Sequence, residues 1–165
     1  EFLIEKISNT NNKEVFFLVV GSGTEYFKVK KYFEISKPKN AKLLKGLPKK
    51  DYDILLSSCD VGLIFLHKHF TIPNFPGRLL SYLELEMPII AATDKNTDLG
   101  DVLVENKCGY WVESGDSIGM DKAIDSMISD PENFNEMKKN SWNLLQNKYT
   151  VSRTYNLILN KLISV

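Results

Sequence analysis

Short apolar runs alternate along this chain with stretches of helical period, and this alternation restricts the fold more than any other feature. The runs Val15–Val20, Val61–Leu66 and Ile89–Ala92 are apolar on both faces, as strands inside a parallel sheet are. At least one amphipathic stretch separates each run from the next. The pattern therefore predicts an α/β fold, with a parallel sheet flanked by helices.

Composition limits the class of protein. The 165 residues carry 21 basic and 21 acidic side chains, so the net charge of zero does not favour nucleic acid as a partner. With 43% hydrophobic residues, the chain suits a single domain over residues 1–165. Cys59 and Cys108 lack metal-ligand spacing, so we expect both to be reduced and buried in a cytoplasmic protein.

The stretch Thr71–Ala92 holds the most informative candidate site. A proline-rich loop leads to a helix predicted from Gly77, and Pro88 ends that helix before a buried strand. Glycine at the mouth of a helix and Arg78 in its first turn form an arrangement in which main-chain N–H groups receive phosphate. The alternative is an ordinary surface arginine, but a cation at the positive helix end is unfavourable without an anion.

The helical period of this segment also predicts which side chains are buried. Leu79, Leu80 and Leu83 share one face, and Arg78, Ser81 and Tyr82 lie on the opposite arc. Elsewhere, Gly109 is expected to close the helix that Asp98 begins. Helix N-caps are expected at four positions: Thr24, Asp98, Asp116 and Asp130.

Two short motifs each allow more than one interpretation. Gly21-x-Gly23 follows a strand, but a dinucleotide fingerprint would need a third glycine at Tyr26, so the pair marks either a tight turn or a close approach to phosphate or sugar. His67 and His69 have the spacing of a metal pair without a third ligand. We expect no metal here, and we expect exposed loop residues with His67 lining a cleft.

The remaining polar and aromatic candidates are expected to be structural. Glu84 and Glu86 point in different directions on a helix and are expected to be solvated. Thr93–Asp94 and Thr97–Asp98 are interpreted as turn and cap residues, with a lesser role in sugar recognition. Two tryptophans are expected in the core, namely Trp111 and Trp142.

Together these segments resemble the C-terminal, nucleotide-sugar-binding domain of retaining GT-B glycosyltransferases of family four, also called group 1. The nearest resemblance is to bacterial enzymes of surface-polysaccharide synthesis, and the implied fold is one Rossmann-like half of a GT-B enzyme. Five segments carry the resemblance, from the strand ending in Gly-x-Gly to the donor loop and the strand after it: Val15–Gly23, Lys45–Pro48, Asp51–Leu66, Phe75–Asp94 and Cys108–Asp116.

The resemblance implies a donor site. The main chain of Phe75, Pro76, Gly77 and Leu79 and the Arg78 side chain would hold a diphosphate. Leu47 and Pro48 would border the base, expected to be uracil. The family's two glutamates, eight residues apart, are replaced here by Pro73 and Ser81. Ser81 would give the ribose one hydrogen bond, and Thr71 would stand near the sugar. Neither a metal nor another cofactor is implied.

The implied activity is transfer of a sugar from a nucleotide-diphosphate sugar, expected to be a UDP-sugar, to a glycan or lipid-linked acceptor. Residues 1–7 are typical of the second half of a helix, so we expect a piece of a longer cytoplasmic protein, peripheral to the inner face of the plasma membrane and inactive without its acceptor-binding domain. The family's central first strand would also lie outside, and we expect neighbouring strands or association to fill its place.

Two other functions fit parts of the pattern. A nucleotide-sugar epimerase of similar two-domain build would be expected to bring acidic and histidine residues to the donor, but the loop before Gly77 lacks carboxylates. A non-catalytic flavodoxin-like interaction domain would bind partners and no nucleotide. Product analysis distinguishes an epimerase from a transferase, and nucleotide binding distinguishes either enzyme from an interaction domain.

Overall fold

A computed structural model describes residues 1–70 and 75–163. The parallel strands in this part of the chain are β1 Phe17–Gly21, β2 Ala41–Lys45, β3 Gly62–Phe65, β4 Ile89–Thr93 and β5 Gly109–Glu113. The helices are α1 Phe2–Asn9, α2 Tyr26–Ser36, α3 Lys49–Leu56, α4 Arg78–Glu84, α5 Leu99–Glu105, α6 Ser117–Ser129, α7 Pro131–Leu144 and α8 Val151–Ile163. A π-helix, Leu145–Tyr149, separates α7 from α8. The predicted α/β class is confirmed.

The chain divides into two compact units, Glu1–Cys59 and Asp60–Val165. In the first unit β1 pairs with β2 in parallel, with Phe17 opposite Ala41. The amide of Asn40 donates to the carbonyl oxygens of Ile7 and Thr10 at 3.0 and 3.1 Å, and so joins the end of α1 to the start of β2.

The second unit contains a parallel sheet in the order β3, β4, β5. Every residue of the central strand β4 is buried, which explains the apolar run Ile89–Ala92. On α7, the buried Ser141 hydroxyl donates to the carbonyl oxygen of Met87 at 2.9 Å and fixes that helix to the segment that leads into β4. No helix in the described ranges is long and apolar enough to cross a membrane.

The described strands form two sheets and not one sheet of six. Within residues 1–70 and 75–163, β1 pairs with β2 and β3 pairs with β4, so neither sheet contains β1 beside β3. The expectation that neighbouring strands close the place of an absent central strand is therefore wrong. Filling of that place by association stays a prediction.

Two of the predicted caps are confirmed. The side chains of Asp116 and Asp130 accept from the N–H groups of Gly119 and Asn133 at 2.9 and 3.0 Å. The Asp98 side chain makes no such bond, because its backbone (φ −69°, ψ −5°) is already helical and not in the extended region of a capping residue.

The other two terminus predictions are wrong. Helix α2 begins at Tyr26 with Glu25 as its flanking residue, so Thr24 is not the cap. Helix α5 already ends at Glu105, and Gly109 begins β5. The residues between Glu105 and Gly109 therefore connect α5 to β5.

Several predicted core positions are corrected. Leu80 is 37% exposed, whereas Tyr82 is buried with its hydroxyl donating to the Leu63 carbonyl oxygen at 3.1 Å. Tyr82 fits because Gly62 leaves room: a Cβ on that glycine would overlap the tyrosine ring. Trp142 is 41% exposed on α7 and Trp111 is half-buried, so neither is a core tryptophan.

The two cysteines are free but differ in environment. Cys108 is fully buried, whereas Cys59 is only half-buried, which corrects the prediction for Cys59. Burial raises the pKa of the Cys108 thiol to about 11. The fold therefore favours the protonated form of the Cys108 thiol. The stability that this form contributes is fully present below the ordinary thiol pKa and is lost as the pH rises through 11.

We therefore expect a thiol reagent at pH 8 to modify the buried Cys108 much more slowly than the half-buried Cys59, since its raised pKa leaves about 100-fold less thiolate than an ordinary thiol has and burial restricts access. Labelling of the native protein followed by peptide mass spectrometry measures both rates. In denaturing urea the two rates should become similar. Equal rates in the native protein would contradict the burial of Cys108.

Candidate functional site

The carboxyl ends of β3, β4 and β5 form one edge of the sheet in the second unit. In open α/β sheets ligands bind beyond this edge. The loop after β3 leads to the first residues of α4, and the loop after β4 runs from Asp94 to Asp98. The start of α4 therefore lies where a ligand of such a sheet is expected.

The start of α4 is anchored by apolar residues and presents polar groups to solvent. Pro76 is buried and Leu79 is 0% exposed, whereas Gly77 and Arg78 are exposed. The N–H groups of Leu79 and Leu80 donate to the carbonyl oxygens of Pro76 and Gly77 at 2.9 and 3.3 Å. For the N–H groups of Gly77 and Arg78, the described part of the chain supplies no acceptor. These two donors carry the positive end of the helix dipole.

The space beside Gly77 is open as far as the described residues are concerned. A Cβ built on this glycine would have none of their atoms within 4 Å, and its backbone (φ −57°, ψ −24°) suits any residue. The fold itself therefore does not require glycine at this position. The absence of a side chain at Gly77 leaves room for a ligand to approach the main chain.

Arg78 and Ser81 lie one turn apart on the same face of α4, as the helical period predicts. Arg78 is exposed and has neither an ion-pair nor a hydrogen-bond partner among residues 1–70 and 75–163, and Ser81 is half-buried. This face thus offers a guanidinium and a hydroxyl next to the helix N-terminus.

Phe75 precedes the buried Pro76 and contacts the end of the π-helix. Its ring lies 5.3 Å from that of Tyr149, centroid to centroid, at an interplanar angle of 44°. Tyr149 is distant in sequence and carries no local motif, so the sequence predictions missed it. Thr71 and Pro73, two further residues assigned to the donor loop, lie outside the described residues.

His67 and His69 are exposed after β3. Their rings are 5.4 Å apart, and the main-chain N–H of His69 donates to Nδ1 of His67 at 3.3 Å. In the part of the chain that the structure describes, no three side chains of the metal-binding types come together. The prediction that these histidines are exposed loop residues is confirmed.

The loop after β4 is held by its own side chains. The buried Asp94 carboxylate accepts from the Thr97 hydroxyl at 2.6 Å and from the Asn96 N–H at 2.8 Å, and mainly the Thr97 bond lowers the pKa of Asp94. The Thr93 hydroxyl donates to the Asp94 carbonyl oxygen and accepts from Nε1 of Trp111 at 2.8 Å. The turn interpretation is confirmed for Asp94 and Thr97, whereas Thr93 is the last residue of β4, so the prediction of a turn residue is wrong there.

In the first unit, two loops follow the strand ends. Gly23 has φ +151°, a conformation that favours glycine, and its carbonyl oxygen accepts from the N–H of Tyr26 at 3.1 Å. A Cβ on Gly46 would lie 3.3 Å from Oγ of Ser22, so the two loops are neighbours. The predicted residues Gly21, Gly23, Leu47 and Pro48 are thus brought together at one edge of this unit, with Leu47 and Pro48 exposed.

The fold is similar to solved glycosyltransferases. HepE from Anabaena, crystallised with UDP, matches with a TM-score of 0.79 and 18% identity over 99% of this chain and 44% of HepE. The C-terminal domain of the group 1 glycosyltransferase LpcC from Francisella tularensis matches with a TM-score of 0.72 and 19% identity over 91% of this chain and 78% of that domain. Sucrose-phosphate synthase from Thermosynechococcus elongatus matches with a TM-score of 0.73 and 14% identity over 99% and 42%.

The chain thus spans less than half the length of HepE. Comparison with curated protein sequences finds no match. The family described as "Glycosyl transferases group 1" matches residues 2–143, which is most of the chain. The chain therefore belongs to the group 1 glycosyltransferases.

Proposed function

We propose that this protein transfers a sugar from a UDP-sugar, with retention, to a glycan or lipid-linked acceptor in cytoplasmic polysaccharide synthesis, and that the start of α4 holds the donor diphosphate. Family membership supports the reaction class, and HepE has been solved with UDP and with UDP-glucose. The observation that carries the diphosphate site is the exposed Arg78 guanidinium beside the N–H groups of Gly77 and Arg78, for none of which the described residues supply a partner.

The proposed chemistry requires little beyond positioning and charge. As the bond from the anomeric carbon to the diphosphate breaks, negative charge grows on the leaving oxygen. The Arg78 guanidinium and the N–H groups of Gly77 and Arg78 stabilise this charge because they are fixed before the reaction. Such a site needs neither a metal nor another cofactor for donor binding, in keeping with our expectation for the family.

The other predicted residues take separate parts of the donor in this proposal. Ser81 donates to the ribose from the same face of α4 as Arg78, and Thr71 stands near the sugar. For the first unit taken by itself, the family resemblance assigns Leu47 and Pro48 to a base, expected to be uracil, and the turn Gly21–Gly23 to a close approach to phosphate or sugar. The acceptor binds to a part of the complete protein outside this chain.

The test is titration of the complete protein with UDP by calorimetry, together with two variants of Gly77. Gly77→Asp places a carboxylate where the diphosphate is proposed, and we expect the Kd for UDP to rise about 100-fold or more. Asp is also a favourable residue at a helix start, so the variant should remain folded and its loss of binding cannot come from a weaker helix.

Gly77→Asn is the matched control, because it adds a side chain of the same shape without charge. A much smaller rise in Kd than for Gly77→Asp shows that charge, and not bulk alone, excludes the diphosphate. If the wild-type protein binds no UDP, or if Gly77→Asp binds it as the wild type does, the proposed diphosphate site is wrong.

A further inference from the structure

We propose that Tyr149 is a positioning residue for the segment Phe75–Arg78: its ring holds Phe75, and through Phe75 it fixes the main chain that begins α4. The inference rests on the proposed function of that helix start. Tyr149 is distant in sequence from Phe75, and no motif of the donor loop contains it.

The ring contact is the first observation. Phe75 stands two residues before Gly77 and is 38% exposed, so the protein covers it only in part. Tyr149 is its ring partner among the described residues, at 5.3 Å between centroids. Pro76, between Phe75 and Gly77, restricts the backbone, so a displacement of Phe75 is transmitted to the N–H donors.

The π-helix is the second observation. Its first residue, Leu145, and the preceding Leu144 are both buried, so this segment is anchored in the core of the unit. A π turn contains one residue more than an α turn and changes the direction in which the following side chains point, which is why such turns recur at functional sites. Tyr149 is the last residue of the turn and is carried on this anchored base.

Electrostatics agree with this placement. Burial is the main cause that raises the pKa of the Tyr149 phenol, and the negative charge of Asp98 adds to it. Asp98 ends the loop after β4, so the phenol lies within the influence of a second loop at the carboxyl edge of the sheet. Tyr149 therefore stands beside the residues proposed to receive the donor, on a segment distant in sequence.

The functional consequence is preorganisation. A loop held in its binding conformation loses less conformational entropy when ligand binds, so the ring contact raises affinity without touching the ligand. The energy of one aromatic pair corresponds to roughly a two- to tenfold change in Kd. The ring, and not the phenol hydroxyl, is the part of Tyr149 that this role requires.

The experiment compares Tyr149→Ala, Tyr149→Phe and Tyr155→Ala in the complete protein. Tyr155 lies on α8, is 60% exposed and has no ring partner in the described chain, so it controls for loss of a tyrosine from the same region. Amide hydrogen exchange of residues 75–80 and the Kd for UDP are both measured. Tyr149→Ala should speed exchange in this segment and raise the Kd two- to tenfold, whereas the other two variants should behave as the wild type does.

The two readouts separate this inference from the proposed function. Faster exchange in Tyr149→Ala with no UDP binding by the wild type would overturn the diphosphate site and leave the positioning role in place. Unchanged exchange in Tyr149→Ala would overturn the positioning role. If Tyr149→Ala unfolds, Phe75→Ala removes the same contact from the other side and must give the same faster exchange, or the inference fails.

Discussion

Gly109→Ala should lower the free energy of unfolding of the second unit by about 3 kcal/mol or more. Gly109 is the first residue of β5 and pairs with Ile89 on β4. A Cβ on Gly109 would overlap the main-chain carbonyl group of Ile89. Because the obstacle is backbone in the central strand and not a flexible side chain, the two strands must separate to make room. That separation would weaken the parallel hydrogen bonds between them.

Urea denaturation followed by far-UV circular dichroism measures this effect, with Gly77→Ala as the matched control. The same methyl group at Gly77 meets no atom of residues 1–70 and 75–163 within 4 Å, so its effect on stability should stay within about 0.5 kcal/mol. Similar unfolding midpoints for the two variants would show that β5 can shift away from β4 at little cost.

The strands and most helices were predictable because their signals are local. Continuous apolar runs identify β3 and β4, and the sequences Asp116-Ser117 and Asp130-Pro131 identify two helix starts through side chains that bond within one turn. Where a boundary depended on backbone conformation, as at Asp98, the residue type alone was insufficient. The place of Tyr82 was missed because it depends on Gly62, which belongs to another element.

The candidate site was likewise predictable where its residues are adjacent in sequence. Pro76, Gly77 and Arg78 are adjacent in sequence, so a loop, a glycine and a cation at a helix start were visible together. The bond from Trp111 to Thr93 and the ring contact from Tyr149 to Phe75 join segments that are far apart in sequence. Such contacts follow from the packing of α7, the π-helix and the sheet, and no local residue pattern in the sequence predicts them.

Arg78→Ala should raise the Kd of the complete protein for UDP by about 10- to 100-fold, the energy of hydrogen bonds from a charged donor. The Kd for uridine, which lacks phosphate, should change less than about twofold. Arg78 is exposed, and within residues 1–70 and 75–163 it has no ion-pair or hydrogen-bond partner, so its removal should not destabilise the fold. A cation at the positive end of a helix is itself unfavourable, and the variant should be as stable as the wild type or slightly more stable.

Arg153→Ala is the matched control, because Arg153 is the only other arginine in the sequence and is exposed on α8. It removes the same side chain and the same net charge, so a general loss of positive charge would weaken UDP binding equally in both variants. Calorimetry at two salt concentrations tests this, since a distant charge acts only through a field that salt screens. If Arg78→Ala weakens UDP and uridine by equal factors, the guanidinium does not contact the diphosphate, and the nucleotide is held elsewhere on the protein.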